Sequence, residues 1–402
     1  MKAIRQQHGW DSIPLRYVCQ LNPPVDFTGL EDDDLTFLPM DKVKSGYFIP
    51  NTDKFTKYAT SYNAFEEGDI ILAKVTPCFE NGNIAIAENL VKGKGFGSSE
   101  LFVVRPTKIN RKFLFYYFQS SAFKQKGEAS MTGAGGLKRV SPDLLRQHHL
   151  PYPNKETQRL IADYLDRETA RIDALVAEKE KMLALLEEKR GALISRAVTR
   201  GLDPDVPMKP SGLDWLGEIP VHWEVRKLKH VASLKSGETI TADSIADTGD
   251  YPVYGGNGFR GFTSEYTHAG DYVLIGRQGA LCGNINYASG QFWASEHAVV
   301  VTIKEGNDIF WCGELLRFMN LNQYSQSAAQ PGISVEMVDN LKVPVPPVGE
   351  QVQISIYMRK ESDYIESIQK EVSKTTALLK ERRAALITAA VTGRIPLEEM
   401  RK

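Results

Sequence analysis

One stretch of this sequence occurs twice, and a shift of 193 residues aligns the two copies without a gap. The first copy covers residues 151–202, the second covers residues 344–395, and 20 of their 52 positions are identical. Unrelated segments of this composition would share roughly 3 positions. The chain therefore contains an internal duplication, and one local structure must account for both copies.

Each copy is predicted to form one long helix. A Pro-x-Pro segment, which cannot be helical, precedes both copies, and no proline interrupts the stretch that follows. Apolar residues then recur at spacings of three, four and seven, which gives a narrow stripe along a helix. The predicted packing positions are Ile161, Leu165, Ile172, Leu186 and Leu193, with Leu175 and Met182 between them, and in the second copy Ile354, Met358, Ile365, Leu379 and Leu386.

A helix of about 45 residues is a rod roughly 65 Å long. Such a rod with a narrow apolar stripe needs a partner helix, and the simplest partner is the other copy. We therefore expect the two copies to pair with each other as a coiled coil. The alternative is two unrelated surface helices on separate domains, which the shared register disfavours.

The segments outside the two copies also resemble each other. Trp10 corresponds to Trp223, and two Gly-Asp pairs and two Ser-Glu pairs follow in the same order, with Glu100 matched by Glu296. The spacing between these matches drifts, so the duplicated unit is a globular domain followed by a long helix. We read residues 201–220 as a linker and residues 132–138 as a flexible glycine-rich loop.

The predicted fold class is α+β, with two mixed α/β domains joined by the two long helices. The predicted division is a first globular domain at 1–150, a first long helix at 151–205, a second globular domain at 206–343 and a second long helix at 344–402.

Length and composition narrow the class of protein. A chain of 402 residues suggests two or three domains, and no apolar run approaches membrane-spanning length. The first ten residues lack a signal-peptide core. The four cysteines lie far apart without a Cys-x-x-Cys pair, so we expect a protein of the reducing cytoplasm.

Several turns carry side chains that suit base edges and phosphates. Arginine pairs with guanine, asparagine and glutamine pair with adenine, and lysine holds phosphate. The candidate DNA-binding residues are Lys74, Asn81, Asn83, Lys138 and Arg139 in the first domain, and Tyr254, Asn257, Arg260, Arg277 and Gln278 in the second. For any one of them, the alternative is an ordinary structural turn residue.

The sequence contains only partial matches to catalytic motifs. Residues 256–261 match G-x-G-x-x-G, but a dinucleotide site needs a helix after this loop, and residues 262–266 do not favour one. Residues 22–25 resemble the Asn-Pro-Pro-aromatic motif of amino-group methyltransferases, with Val25 replacing the stacking ring. No Walker A motif and no metal-ligand spacing occurs, so we expect no metal and no catalytic residue.

The charge is distributed unevenly. Residues 1–150 carry 19 basic and 16 acidic side chains, a net charge of +3, whereas residues 206–342 carry 10 and 15, a net charge of −5. Any nucleic-acid contact of the second domain must depend on a few placed residues, because it has no broad positive field. We therefore expect the isolated chain to bind DNA weakly.

The sequence resembles the specificity subunit of type I restriction–modification systems over nearly the whole chain. The resemblance is strong from about residue 140 onward and weaker in residues 20–135. The motifs that carry it are the domain entry at 211–225, the loops Tyr-Pro-Val-Tyr-Gly-Gly-Asn-Gly at 251–258 and Gly-Arg-Gln-Gly at 276–279, and the helix entries at 150–161 and 343–351.

The resemblance implies two target recognition domains in pseudo-twofold tandem, joined by two long helices that pack antiparallel as a coiled coil. Each recognition domain would read one half of a split, asymmetric DNA site, while the paired helices fix the unread gap. It implies no catalytic activity and no bound cofactor for this chain. It also implies two methyltransferase subunits that use S-adenosylmethionine, and two restriction subunits that depend on ATP and Mg²⁺. Half-sites one groove repeat apart lie roughly 34 Å from centre to centre, compatible with rods of this length.

Two other functions remain open at this point. A coiled-coil scaffold could join two protein-binding domains without touching DNA, and it predicts no basic and amide side chains gathered on one face. A nucleotide-dependent enzyme would need tight cofactor binding by this chain alone.

Overall fold

The structure, a computed structural model, describes residues 9–56, 61–134, 136–279, 281–325 and 332–401. The chain divides into two compact units, the first formed by residues 1–180 with 373–402 and the second by residues 181–372. Both boundaries fall inside a long helix, so each unit contains part of each helix.

The first half of the chain alternates short strands with three short helices and ends in a long helix. Its strands are β1 (Asp11–Pro14), β2 (Cys19–Leu21), β3 (Asp34–Leu38), β4 (Thr52–Lys54), β5 (Asn63–Glu66), β6 (Ile70–Ala73), β7 (Ile84–Ile86), β8 (Lys94–Gly97), β9 (Leu101–Pro106), β10 (Thr132–Ala134), β11 (Leu137–Arg139) and β12 (His149–Tyr152). Its helices are α1 (Arg111–Gln119), α2 (Ser121–Ala129), α3 (Pro142–Gln147) and α4 (Lys155–Arg200).

The second half follows the same plan. Its strands are β13 (Met208–Leu213), β14 (Leu216–Pro220), β15 (Glu224–Lys227), β16 (Ala232–Ser236), β17 (Tyr251–Gly255), β18 (Gly258–Thr263), β19 (His268–Ala269), β20 (Tyr272–Gly276), β21 (Ile285–Ala288), β22 (Gln291–Ala294), β23 (Ala298–Ile303) and β24 (Lys342–Val345). Its helices are α5 (Ile309–Phe318), α6 (Val335–Asn340), α7 (Val348–Val391) and α8 (Leu397–Met400).

The two units have the same sheet topology. An antiparallel sheet of order β2-β9-β6-β7 in the first unit corresponds to one of order β16-β23-β20-β21 in the second. Beside it, each unit has a second four-stranded sheet, of order β4-β3-β8-β5 or β18-β17-β22-β19. The duplication inferred from the spaced Gly-Asp and Ser-Glu pairs therefore extends to the fold of the globular parts.

Each core fills the space between its central sheet and its helices. In the first unit Phe102 of β9 packs with Phe113 and Phe123 of the two short helices, and all three are buried. In the second unit two completely buried tryptophans, Trp223 and Trp311, belong to the corresponding core. In the first unit, one face of the central sheet thus packs against the short aromatic helices, while its other face packs against the second sheet.

The ends of the long helices follow from local chemistry. The Asn154 side chain accepts a hydrogen bond from the backbone N–H of Thr157 at 2.8 Å and caps the start of α4. Glycines with positive φ follow both helices, at 74° for Gly201 and 70° for Gly393. This is the left-handed conformation that ends helices and that glycine adopts without strain.

The helices pair antiparallel within each unit. In the first unit Arg383 Nε lies 2.8 Å from Asp173 Oδ1, and Lys380 Nζ lies 2.9 Å from Glu180 Oε1. In the second unit Gln369 Nε2 donates to Glu187 Oε2 at 3.2 Å. The numbers rise along one helix as they fall along the other, which confirms the predicted antiparallel pair.

Ten of the twelve predicted packing positions are at least half-buried. Ile161, Leu165, Ile172, Ile354, Met358 and Ile365 are buried, and Leu186, Leu193, Leu379 and Leu386 are half-buried. The prediction for Leu175 and Met182 was wrong, because these side chains are 47% and 43% exposed. Between Ile172 and Leu186 the half-buried residues of α4 are instead Val176, Lys179 and Leu183.

Two segments differ from the predicted loops. The proposed linker contains a hairpin, in which β13 pairs antiparallel with β14. The proposed flexible loop contains another, in which Thr132 pairs with Arg139 and Ala134 with Leu137, while Gly135 lies outside the described residues. The turn between β13 and β14 is formed by Asp214 and Trp215, whereas Gly136 lies in the turn between β10 and β11.

Candidate nucleic-acid interface

Three of the five candidates in the first unit lie together at the ends of its central strands. Lys74 follows β6, and Val140 donates its backbone N–H to the Lys74 carbonyl at 2.8 Å. The backbones of Thr76 and Lys138 are joined by a bond of 3.0 Å from the Thr76 N–H, and the Thr76 hydroxyl accepts from the Lys138 N–H at 3.0 Å. The β10–β11 hairpin therefore attaches Lys138 and Arg139 directly beside Lys74.

An acidic residue lies among these three cations. Arg139 donates to the Glu100 carboxylate through Nε at 2.9 and 3.1 Å and through Nη2 at 2.8 Å. Lys74 Nζ lies 4.0 Å from the same carboxylate. The hydrogen bonds from Arg139, with the charge of Lys74 adding to them, hold the pKa of Glu100 below its usual value. Glu100 is therefore the counter-ion of the cluster.

The two asparagine candidates belong to the turn that precedes β7. The backbone N–H of Ala73 donates to the Asn83 carbonyl at 3.0 Å, so the segment from 74 to 83 closes on itself next to Lys74. Asn81 is exposed and Asn83 is half-buried. Lys74, Asn81 and Asn83 thus lie on the segment that follows β6, and the β10–β11 hairpin brings Lys138 and Arg139 beside Lys74.

In the second unit, the G-x-G-x-x-G segment forms a hairpin. Tyr254 pairs with Phe259 and Gly255 with Gly258, so strand β18 follows the loop where a dinucleotide site needs a helix. The expectation that no helix follows this motif is confirmed. The turn exposes Asn257, and Arg260 is exposed on β18.

A close backbone approach fixes this turn against the Arg277 segment. A Cβ on Gly276 would lie 2.3 Å from the Gly256 carbonyl oxygen, so only glycine fits there. Arg277 donates its backbone N–H to the His297 carbonyl at 2.8 Å. Asn257, Arg277 and His297 therefore belong to three loops that meet at one end of the central sheet.

The remaining two candidates of this unit differ in exposure. Gln278 is exposed. Tyr254 is half-buried, and its ring contacts those of Phe259 and Phe292 at centroid distances of 6.3 and 5.6 Å. The Tyr254 ring thus serves mainly as packing between the strands, and the exposed ring of this hairpin is that of Phe259, at 56%.

The motif at residues 22–25 has a structural role. The Asn22 side chain accepts from the Val103 N–H at 2.9 Å, and the Asn22 N–H donates to the Val103 carbonyl at 2.7 Å. These bonds hold the end of β2 against β9 and occupy the side-chain oxygen of Asn22. Within the described ranges, no group of three His, Cys, Asp or Glu side chains could hold a metal ion, and no helix could span a membrane.

Sequence reasoning missed two residues of these clusters, Glu100 and His297. The repeated Ser-Glu pair was the available signal, since Glu296 and Glu100 occupy equivalent positions and both accept hydrogen bonds from the loops around them. No local sequence pattern distinguishes an acidic residue that will lie among basic side chains. Its importance depends on a partner 39 residues away in the chain.

Comparison with known sequences identifies a matching family. The family described as "Type I restriction modification DNA specificity domain" matches residues 9–184 and 220–376. The specificity subunit of the EcoprrI enzyme of Escherichia coli is 34% identical over 270 residues, which are 65% of this chain and 63% of that subunit. The EcoAI specificity subunit of the same organism is 35% identical over 165 residues, 40% of this chain and 28% of that subunit. The matched stretches thus cover less than two thirds of these relatives.

Two solved structures share the fold over almost the whole chain. A chain from a study of complex assembly and conformational transition in the type I restriction–modification system superposes with a TM-score of 0.78, at 18% identity, over 96% of this chain and 99% of that one. The HsdS subunit of Thermoanaerobacter tengcongensis gives a TM-score of 0.54, at 18% identity, over 96% and 98%.

Proposed function

This chain belongs to the family of type I restriction–modification DNA specificity subunits, and we propose that it reads a bipartite, asymmetric DNA site. Each unit would read one half-site through the loops at one end of its central sheet. The candidates are Lys74, Asn81, Asn83, Lys138 and Arg139 in the first unit, and Asn257, Arg260, Arg277 and Gln278 in the second, with Tyr254 supporting the hairpin.

The main support for this proposal is that the two units share one fold but carry different side chains on equivalent loops. The central sheets have the same strand order, yet the segment after β6 is Lys74-Val75-Thr76 whereas β20 ends in Gly276 and continues as Arg277-Gln278. Base edges are distinguished by the donors and acceptors that face them. Equivalent loops with different side chains therefore favour two half-sites of different sequence.

We further propose that the paired helices hold the two readers at a fixed spacing and provide docking sites for other subunits. Large apolar side chains are exposed on both helices, including Leu175, Met182, Tyr364 and Leu378. Exposed apolar side chains along a rod suit protein contacts. In this proposal two methyltransferase subunits supply S-adenosylmethionine chemistry, two restriction subunits supply ATP- and Mg²⁺-dependent cleavage, and this chain acts without catalysis in the cytoplasm.

A scaffold that joins two protein-binding domains without DNA contact is the competing function. It would account for the helices, but it gives no reason for basic and amide side chains to gather at one sheet end. In the first unit Lys74, Lys138 and Arg139 outnumber the single acid among them. That excess of positive charge favours a polyanion as partner.

The test is a map of modified adenines. The full chain would be co-expressed with the neighbouring methyltransferase subunit in a host without other adenine methylation, and the genome read by single-molecule sequencing. We expect one split motif with two constant halves and a fixed gap. Arg277→Gln should relax one half and leave the other intact. A stable complex that modifies no adenine would instead support the scaffold.

A further inference from the structure

The Arg139–Glu100 pair has a geometry that restricts what Arg139 can bind. Its three hydrogen bonds all come from the Nε side of the guanidinium, through Nε and Nη2. Among the described residues, none accepts a hydrogen bond from Nη1. The Nη1/Nη2 edge of the fork is therefore free, and the carboxylate fixes the plane in which it lies.

The backbone around this pair is also fixed. Thr132 and Arg139 form the last pair of the β10–β11 hairpin, and Arg139 forms an isolated bridge with Val75 on its other side. All six strand residues of the hairpin are exposed. An exposed two-stranded ribbon fits the major groove, where base edges are accessible.

Arg105 shows how a purely structural arginine differs in the same unit. It donates through Nε and Nη2 to Asp69 at 2.8 Å each, and its Nη2 also lies 2.9 Å from Glu66. Its side chain is 25% exposed, compared with 46% for Arg139. Arg105 is thus held between two acidic side chains, whereas Arg139 is paired with one acidic side chain and is more exposed to solvent.

We propose that Arg139 reads a guanine in the half-site of the first unit and that Glu100 is the positioning residue for this contact. The proposal rests on the function proposed above. Guanine presents O6 and N7 side by side in the major groove, and the free Nη1/Nη2 edge matches these two acceptors. Glu100 acts through Arg139, because its carboxylate prevents the long side chain from turning to other acceptors.

Arg139 is poorly suited to bind a phosphate group. Glu100 offsets the charge of Arg139, and its own negative charge repels a phosphate group brought close to it. Lys138 is the better phosphate ligand, since it is exposed and no described group pairs with its ammonium. We therefore expect Lys138 to bind the DNA phosphate backbone and Arg139 to read a base.

The experiment uses the full chain in complex with the methyltransferase subunit. The motif of the unaltered complex is first mapped as described above. Methylation rates of duplexes that differ by a single G·C substitution are then compared for Arg139→Gln, Arg139→Lys and Glu100→Gln. Arg146→Gln is the matched control, because Arg146 is an exposed arginine beside one acid, Asp143, on helix α3.

We expect one G·C pair of one half-site to be constant for the unaltered complex. Its discrimination should fall about tenfold to a hundredfold in both Arg139 variants. Arg139→Lys keeps the charge and loses the fork, so it separates base reading from attraction to phosphate. Glu100→Gln should lower discrimination at the same base pair while other positions keep theirs, whereas a merely structural role would lower methylation of every site alike.

Two other results are informative. A split motif whose constant guanines are unaffected by all three variants, or a first half-site with no constant G·C pair, overturns this inference and leaves the proposed function standing. Failure of the unaltered complex to modify any split motif overturns both. Unchanged co-purification and thermal unfolding show that the variants are folded.

Discussion

Gln158 and Gln351 make the same pair of hydrogen bonds at equivalent positions of the two helices. Gln158 accepts from the Asn110 N–H at 2.8 Å and donates to the Pro153 carbonyl at 2.7 Å. Gln351 accepts from the Asp308 N–H at 2.9 Å and donates to the Pro346 carbonyl at 2.9 Å. Both amides are buried. Gln158 thus connects the start of α4 to the N-cap residue of α1, and Gln351 connects the start of α7 to the N-cap residue of α5.

Replacing Gln351 with leucine should therefore destabilise the second unit. The Asp308 N–H and the Pro346 carbonyl would lose this partner, and a buried group left unpaired costs about 1–3 kcal/mol. Denaturant unfolding of the full chain measures the loss. Gln353→Leu is the control, because Gln353 lies two residues further along the same helix and is exposed. Equal stability of the two variants would contradict the assigned bonds.

His148 should make the first unit sensitive to acid. Its ring is buried, with Nε2 2.6 Å from the Tyr117 hydroxyl, and burial lowers the pKa of His148 to about 4. In the unfolded chain its pKa is about 6.5, so between pH 6.5 and 4 the unfolded state binds a proton that the folded state does not. The contribution to stability is therefore lost as pH falls through this window, on the order of 2 kcal/mol.

The measurement compares unfolding free energies of His148→Gln and the unaltered chain from pH 7.5 to pH 4.5. Glutamine cannot titrate, so the difference between the two should change across the window. His149→Gln serves as the control, since the neighbouring His149 is exposed. A pH profile of His148→Gln parallel to that of the unaltered chain would show that His148 does not contribute to acid sensitivity.

Two adjacent residues of α4 test where the helix seam lies. Leu183 is half-buried and Met182 is 43% exposed. Leu183→Asn should lower the unfolding temperature by removing about 1–2 kcal/mol of apolar burial, whereas Met182→Asn should change it little. Circular dichroism during heating gives both values. If Met182→Asn lowered the unfolding temperature more than Leu183→Asn, then Met182 would belong to the seam, as predicted from the sequence.

The sequence predicted the helices because their apolar spacing repeats over many turns, but it could not choose the seam. Leu183, Leu185 and Leu186 offer more than one stripe, and the partner helix selects among them. Similarly, Lys74, Lys138 and Arg139 were found by residue type alone. That they meet depends on the pairing of Val75 with Arg139, a long-range contact that no local pattern specifies.

Gly276 should be essential for the position of the second-unit loops. An alanine Cβ would lie 2.3 Å from the Gly256 oxygen and 2.7 Å from the Leu281 oxygen, and both are backbone atoms that cannot rotate away. We expect Gly276→Ala to lower stability by about 1–3 kcal/mol and to relax the half-site that Arg277→Gln relaxes. Gly217→Ala is the control, because a Cβ at Gly217 meets nothing within 4 Å. Methylation mapping and thermal unfolding would reveal both effects.

The isolated chain should bind DNA weakly. Residues 206–342 carry 10 basic and 15 acidic side chains, so this part attracts a duplex only through a few placed residues. We expect a Kd weaker than about 1 µM at physiological salt, rising steeply with added salt, in fluorescence anisotropy with a duplex that contains the mapped motif. The methyltransferase subunit should tighten binding, and a duplex with both half-sites scrambled is the control. Nanomolar, salt-tolerant binding by the chain alone would mean that its own loops suffice to hold the duplex.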